Sequence, residues 1–169
     1  DKQINNMLVQ TKNIGNKFPR TTNKSGQMTT TGMYDWTPGF FPGSLWLMYE
    51  FTKSEPYKKV ATQWTEKLEP LKTFTGHHDL GFMMYCSYGN AYKATQNTTY
   101  KNILIQAAKS LSTRFNATTG TIKSWNKFES WHGNKTYYYP VIIDNMMNLE
   151  MLYFASKVSG DTSFSHIAT

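Results

Sequence analysis

Cysteine is almost missing from this chain. Cys86 is the only one in 169 residues, so an internal disulfide and a cysteine-built metal cluster are both excluded. It falls in the apolar run Phe82-Met83-Met84-Tyr85-Cys86, where a buried structural thiol is expected. No apolar stretch approaches the roughly 18 residues of a membrane span, and no secretory leader pattern is visible. The chain does begin with Asp1 rather than Met, as it would after removal of a leader. Acidic residues are scarce, 11 against 18 Lys and Arg, which leaves a formal charge of +7 and a pI near 9.4. That balance favours an anionic partner. Yet Lys58, Lys59, Lys101, Lys109 and Lys123 are scattered over several predicted elements and form none of the stripe a phosphate backbone requires. Neither nucleic acid nor a membrane is expected as a partner.

Aromatic residues are abundant at 15%, with five Trp, eleven Tyr and ten Phe. Two readings stand: rings lining a sugar-binding cleft, or ordinary half-buried core rings. Strand-type alternation hardly appears, whereas helical periodicity recurs. It predicts helices over about 2–13, 41–53, 55–72, 80–96, 98–115 and 141–158, and a start near 162. Pro42 suits a first helical turn, and Gly160 followed by Asp161 suits a helix end and the next cap.

The helix starts repeat in phase. Trp36 precedes Tyr57 by 21 residues, Asp79 precedes Tyr100 by 21, and Asp144 precedes Phe164 by 20. The segments Thr52–Tyr57, Thr95–Tyr100 and Ser159–Phe164 then occupy equivalent short turns between antiparallel helices. The long connections, about 14–40, 73–79 and 116–140, must lie at the opposite end, where repeat architectures build their sites. One domain spanning 1–169 is expected, with about three hairpins and the beginning of a fourth: an incomplete domain whose open flank favours self-association.

Asp79 stands at a helix start, between Gly76-His77-His78 and Leu80-Gly81-Phe82. It is either a capping Asp or a functional carboxylate, and a cap needs neither imidazole. Asp144 sits between Val141-Ile142-Ile143 and Met146-Met147. Apolar flanks predict a desolvated carboxyl with a raised pKa, hence a general acid; the alternative is a buried Asp bonded to a neighbouring loop. Asn145, Asn148 and Glu150 widen this polar face. His77, His78 and Asp79 are adjacent rather than spaced by three or four, so no metal site is expected. His132 and His166 read as surface residues, and no cofactor is expected. Asn-x-Ser/Thr triplets at Asn23, Asn97, Asn116 and Asn134 matter only in a glycosylating secretory pathway.

Three segments carry a family resemblance. Asp35-Trp36-Thr37-Pro38-Gly39-Phe40-Phe41-Pro42-Gly43-Ser44-Leu45-Trp46 resembles a signature of unsaturated glucuronyl hydrolases, glycoside hydrolase family 88. So do Leu68-Glu69-Pro70-Leu71 leading to Gly76-His77-His78-Asp79-Leu80-Gly81-Phe82-Met83, and the run Tyr139–Glu150. The resemblance implies an all-α fold, an (α/α)6 barrel of six helical hairpins, of which this chain covers about the N-terminal half. It implies removal of a 4,5-unsaturated uronic acid from the non-reducing end of lyase-generated oligosaccharides, by vinyl ether hydration.

On that pattern Asp144 protonates C4 and activates the water attacking C5, and Asp79 is the second carboxylate, holding sugar hydroxyls. Trp36 is a stacking platform, His78 a substrate contact, and Trp125 and Trp131 extend the platform. The resemblance also implies that the later hairpins hold further substrate-binding groups, so the fragment alone is expected to be inactive. The competing classes are a non-catalytic helical-repeat protein that binds glycans, and a polysaccharide lyase on a similar toroid. A lyase would create unsaturated ends rather than consume them.

Overall fold

The computed structural model describes residues 2–169; Asp1, on which the question of a removed leader turns, lies outside them. A short helix, α1 (Lys2–Gln10), leads into an antiparallel ribbon of β1 (Phe18–Thr22) and β2 (Met28–Thr31). The first hairpin pairs α2 (Phe40–Thr52) with α3 (Glu55–Glu66), and a 3-10 turn (Glu69–Thr73) extends it. The second pairs a long interrupted helix with α6 (Thr98–Ser112). Its first arm is α4 (Leu80–Met84), a π-turn at Tyr85–Gly89 and α5 (Asn90–Thr95). Two short ribbons follow, β3 (Phe115–Asn116) with β4 (Thr121–Ile122) and β5 (Phe128–Glu129) with β6 (Thr136–Tyr137). The third hairpin is α7 (Leu149–Ser159) with α8 (Thr162–Ala168), entered through a 3-10 turn at Ile143–Asn148.

The three short turns share one conformation. Lys53, Gln96 and Gly160 are each left-handed, with φ of 54°, 54° and 77°, and each backbone N–H bonds back to the carbonyl of Tyr49, Tyr92 or Ser156. The next residue, Ser54, Asn97 or Asp161, is extended and opens the following helix. Asn97 and Asp161 cap with their side chains, on Thr99 N–H and Ser163 N–H, while Ser54 does not. A left-handed residue after a helix frees the chain to reverse, so the repeat in sequence is a repeat in backbone geometry.

Four expectations need correction. Helix 55–72 breaks at Glu66 because Pro70 cannot continue an α-helical ladder. Helix 80–96 keeps its axis but gains the π-turn, where the Ser87 hydroxyl bonds the Met83 carbonyl at 2.7 Å. Helix 141–158 begins as a 3-10 turn, with α7 proper starting at Leu149. The long connections, expected to be loops, contain all three ribbons, whose two- to five-residue strands are too short for alternation to register. The core between hairpins is apolar: Leu45, Trp46, Leu80, Met83, Met84, Tyr88, Leu104, Leu111 and Met151 are essentially inaccessible.

Candidate functional site

All three hairpins open at one end, and two of them bring a carboxylate to the same histidine. His78 Nε2 lies 3.0 Å from Asp79 Oδ1 and 3.5 Å from Asp144 Oδ1. Neither oxygen lies well along the Nε2–H direction, so both His78 Nε2 and Asp144 Oδ1 lack an aligned hydrogen bond; the contact is an off-axis attraction shared between two acceptors. His77 flanks the other side, its Nδ1 3.2 Å from Asp79 Oδ2. His77 Nε2 donates to the Tyr34 carbonyl at 2.9 Å, because a carbonyl can only accept. That bond ties the Trp36 segment to the start of α4.

Asp79 occupies the cap position of α4 but does not cap. Its backbone is already helical (φ −59°, ψ −16°) and its side chain makes no cap bond. The Phe82 N–H is instead taken by Asn148 Oδ1 at 3.0 Å, from 66 residues along the chain. With the helix end satisfied from outside, the Asp79 carboxylate is free to face both imidazoles, and the capping reading of this residue does not hold.

Asp144 is not desolvated by its flanks. Ile143 is 86% exposed, and Val141, Met146 and Met147 are exposed too. The side chain as a whole is 37% exposed, while its Oδ1 is buried against His78. Burial of the carboxyl, with the charge of Asp79 beside it, pushes its pKa above the ordinary 3.8; the His78 charge and the backbone N–H groups of Asp144 and Asn145 oppose that shift. Burial disfavours a charged His78, yet the close oxygens of Asp79 and Asn145 and the charges of Asp79 and Asp144 outweigh it and lift the ring above 6.5.

The aromatic residues divide. Trp125 stands edge-on to His78 at 5.7 Å between ring centres, and its backbone bridges His77. Phe128 stacks on Trp125 at 5.6 Å, and Trp131 meets Phe128 edge-on at 5.7 Å. These rings form a ladder from the carboxylates to Trp131, which is 90% exposed. Trp36 lies apart. Its ring packs edge-on to Phe40, which stacks on Phe82 of α4, and the Arg20 guanidinium sits 5.1 Å over it. With Arg20, Met28 and Phe40 it lines a cleft of about 730 Å³ that includes none of His78, Asp79 or Asp144. His78, expected as a substrate contact, is fully buried, Nε2 included, and that nitrogen faces the carboxylates of Asp79 and Asp144.

His78, Asp79 and Asp144 offer ligand atoms within 4.8 Å of one another. Hard divalent cations prefer six or more oxygens, and this cluster supplies two carboxylates and an imidazole. The supporting residues are those that sequence reasoning passed over. Arg114, buried on α6's C-terminal side, donates to the carbonyls of Thr75, Lys123 and Ser124 and so clamps the loops bearing His78 and Trp125. The Ser124 carbonyl also accepts His78 N–H at 3.0 Å. Ser124 Oγ accepts the Ile142 N–H, two residues before Asp144, at 3.0 Å. The Asn145–Asn148 pair, at helical spacing behind Asp144, was the visible signal.

No protein-family model matches the chain. An unsaturated glucuronyl hydrolase of Formosa agariphila is 43% identical over 155 residues, covering 90% of this chain and 38% of that protein. One from Bacillus sp. (strain GL1) is 30% identical, covering 93% of this chain and 41% of the relative. Among solved structures, an unsaturated glucuronyl hydrolase specific for heparin aligns with a TM-score of 0.85 at 38% identity, covering 98% of this chain and 43% of that one. The chain thus spans about 40% of the length of these relatives, with the helical-hairpin arrangement of their (α/α)6 barrel. Over that span the chain belongs to the unsaturated glucuronyl hydrolase family, glycoside hydrolase family 88.

Proposed function

We propose that the polypeptide carrying this chain removes a 4,5-unsaturated uronic acid from the non-reducing end of lyase-generated oligosaccharides. Residues 1–169 form the part of one catalytic domain that holds both working carboxylates. The observation that carries this reading is the Asp79–His78–Asp144 cluster, in which Asp144 has a raised pKa and one oxygen turned inward to His78. A raised carboxyl pKa keeps more of the group in the form that can give up a proton.

Asp144 gives its proton to C4 of the double bond, and positive charge develops at C5 and the ring oxygen. Water adds at C5 while Asp144, now a carboxylate, takes a proton from that water. The C5 hemiketal opens the ring, and the hemiacetal left at C1 releases the remaining saccharide. Asp79 contributes negative charge and accepts sugar hydroxyls, and Trp125 and Trp131 offer ring faces to the sugars. The net charge of +7 suits a uronide. Because the chemistry occurs at an alkene, the carboxylate separations that sort retaining from inverting glycosidases do not apply.

The test is loss of the unsaturated chromophore's absorbance on incubation with the natural full-length polypeptide. Asp144→Asn keeps the size of the side chain and removes the transferable proton, so kcat should fall by about 10² or more. Near-normal turnover in that variant would reject the assignment, and a gain of absorbance would identify a lyase.

A further inference from the structure

His78 is wholly inaccessible, so what Nε2 presents to the carboxylates is decided from behind, at the other ring nitrogen. Nδ1 lies 3.3 Å from the side-chain nitrogen of Asn148. The direction of that amide is fixed, because its oxygen accepts the Phe82 N–H. Its two hydrogens therefore face His78 Nδ1 and Asn145 Oδ1, the latter at 3.2 Å. Asn145 is fixed in turn: its nitrogen donates to the Ile122 carbonyl at 2.6 Å and approaches Ser124 Oγ at 3.4 Å, which leaves its oxygen as the acceptor. A neutral imidazole has one donor and one acceptor nitrogen.

We infer that Asn148 is a positioning residue that holds neutral His78 as the tautomer with hydrogen on Nε2, directing that hydrogen between Asp79 and Asp144. The inference deepens the hydrolase reading and rests on it for its catalytic consequence. With its hydrogen on Nε2 the neutral ring can only donate to the carboxylates; it supports the charge that Asp144 acquires after giving up its proton, and it cannot take that proton away. The opposite tautomer would aim a bare lone pair at two carboxylates. Asn145 has the complementary part, since its oxygen stands ready for an Nδ1 hydrogen when the ring becomes charged. Asn148 touches no substrate; it is fully buried and acts through His78.

The natural full-length polypeptide, labelled with ¹⁵N-histidine, gives the test. Long-range ¹H–¹⁵N spectra over a pH titration show which nitrogen of neutral His78 carries the hydrogen, the His78→Gln spectrum supplying the assignment. Hydrogen on Nε2 is expected, and hydrogen on Nδ1 would overturn the inference. Asn148→Asp keeps the shape and the acceptor for Phe82 while replacing the donor facing Nδ1 by an acceptor. In that variant both nitrogens should stay protonated where the wild-type ring is neutral. Because a neighbouring acid–base group depends on the protonation of the imidazole beside it, kcat should fall at least about tenfold with KM within about twofold. A wild-type tautomer or unchanged kcat in Asn148→Asp would overturn the positioning role. If that variant does not fold, the wild-type tautomer still decides. A wild-type protein that leaves the unsaturated chromophore untouched, while His78 carries its hydrogen on Nε2, would instead count against the hydrolase reading alone.

Discussion

Replacing Gly81 with Ala sets two effects of opposite sign against each other. Gly81 lies in the first turn of α4 with an ordinary helical backbone, so by propensity alone the methyl should stabilise by about 0.5–1 kcal/mol. The structure predicts the reverse. A Cβ built there falls 2.5 Å from the Asn148 Cβ and 2.7 Å from its Cα, about 1 Å inside the roughly 3.5–4.0 Å of carbon–carbon contact. No rotamer of Asn148 relieves a clash with its own Cα, so the turn at Ile143–Asn148 must move away from α4. Overpacking of this kind costs about 1–3 kcal/mol. The shift also breaks the bond from Phe82 N–H to Asn148, and an unpaired buried group costs about 1–3 kcal/mol more. Against the propensity gain, Gly81→Ala should destabilise by about 2–4 kcal/mol. Urea unfolding should show a lower midpoint at unchanged slope. A variant as stable as the wild type would refute the claim that Asn148 and α4 are in rigid contact, and with it the account of how His78 is oriented.

Arg114→Met keeps the length of the side chain and removes donors from the carbonyls of Thr75 and Lys123; it should lower stability by about 2–4 kcal/mol, measured by the same unfolding. Stability should also decline as pH rises from about 6.5, the ordinary value above which folding lifts His78. The folded state binds more protons than the unfolded one in that window, so the slope of stability against pH is negative there. Asp144, also raised, acts in the same direction but from 3.8 upward, and Asp35, lowered by Thr37 and Arg20, acts in the opposite direction below 3.8. His78→Gln should therefore flatten the decline above 6.5, and persistence of the full slope in that variant would exclude His78 as its source.

The hairpins were legible because their signal is local. Apolar periodicity gives each helix, and the turns Thr52–Tyr57, Thr95–Tyr100 and Ser159–Phe164 announce the repeat even though only one of the three left-handed residues is a glycine. What stayed hidden was long-range or too short. The break after Glu66 follows from Pro70 and could have been read. The π-turn at Tyr85–Gly89 leaves no periodic trace, since one added residue within a buried helix still reads as apolar. The ribbons in the long connections are held by tertiary bonds, such as Ser124 N–H to the Pro140 carbonyl at 2.8 Å, and not by strand patterning.

The site shows the same division with a sharper consequence. Phase in sequence selected Asp79 and Asp144, and Asp144 has the pKa raised by desolvation that was expected, but local reasoning misjudged what surrounds each. Asp79 looked like a cap because caps are assigned from neighbours, and the true acceptor for α4 stands 66 residues away. Asp144 looked desolvated because its neighbours are apolar, yet those neighbours face outward and its pKa is raised by burial of the carboxyl and the charge of Asp79. In both cases residues of another hairpin take part: Asn148 beside Asp79, and His78 and Asp79 beside Asp144. Asn148 unites the two: it caps α4, so Asp79 need not, and it faces His78 Nδ1, so Nε2 faces Asp144. A carboxylate used as a cap would be turned toward the backbone N–H groups of its own helix. Moving the cap to an uncharged amide leaves the Asp79 carboxylate turned to His77 and His78, and couples that placement to the docking of the third hairpin against the second.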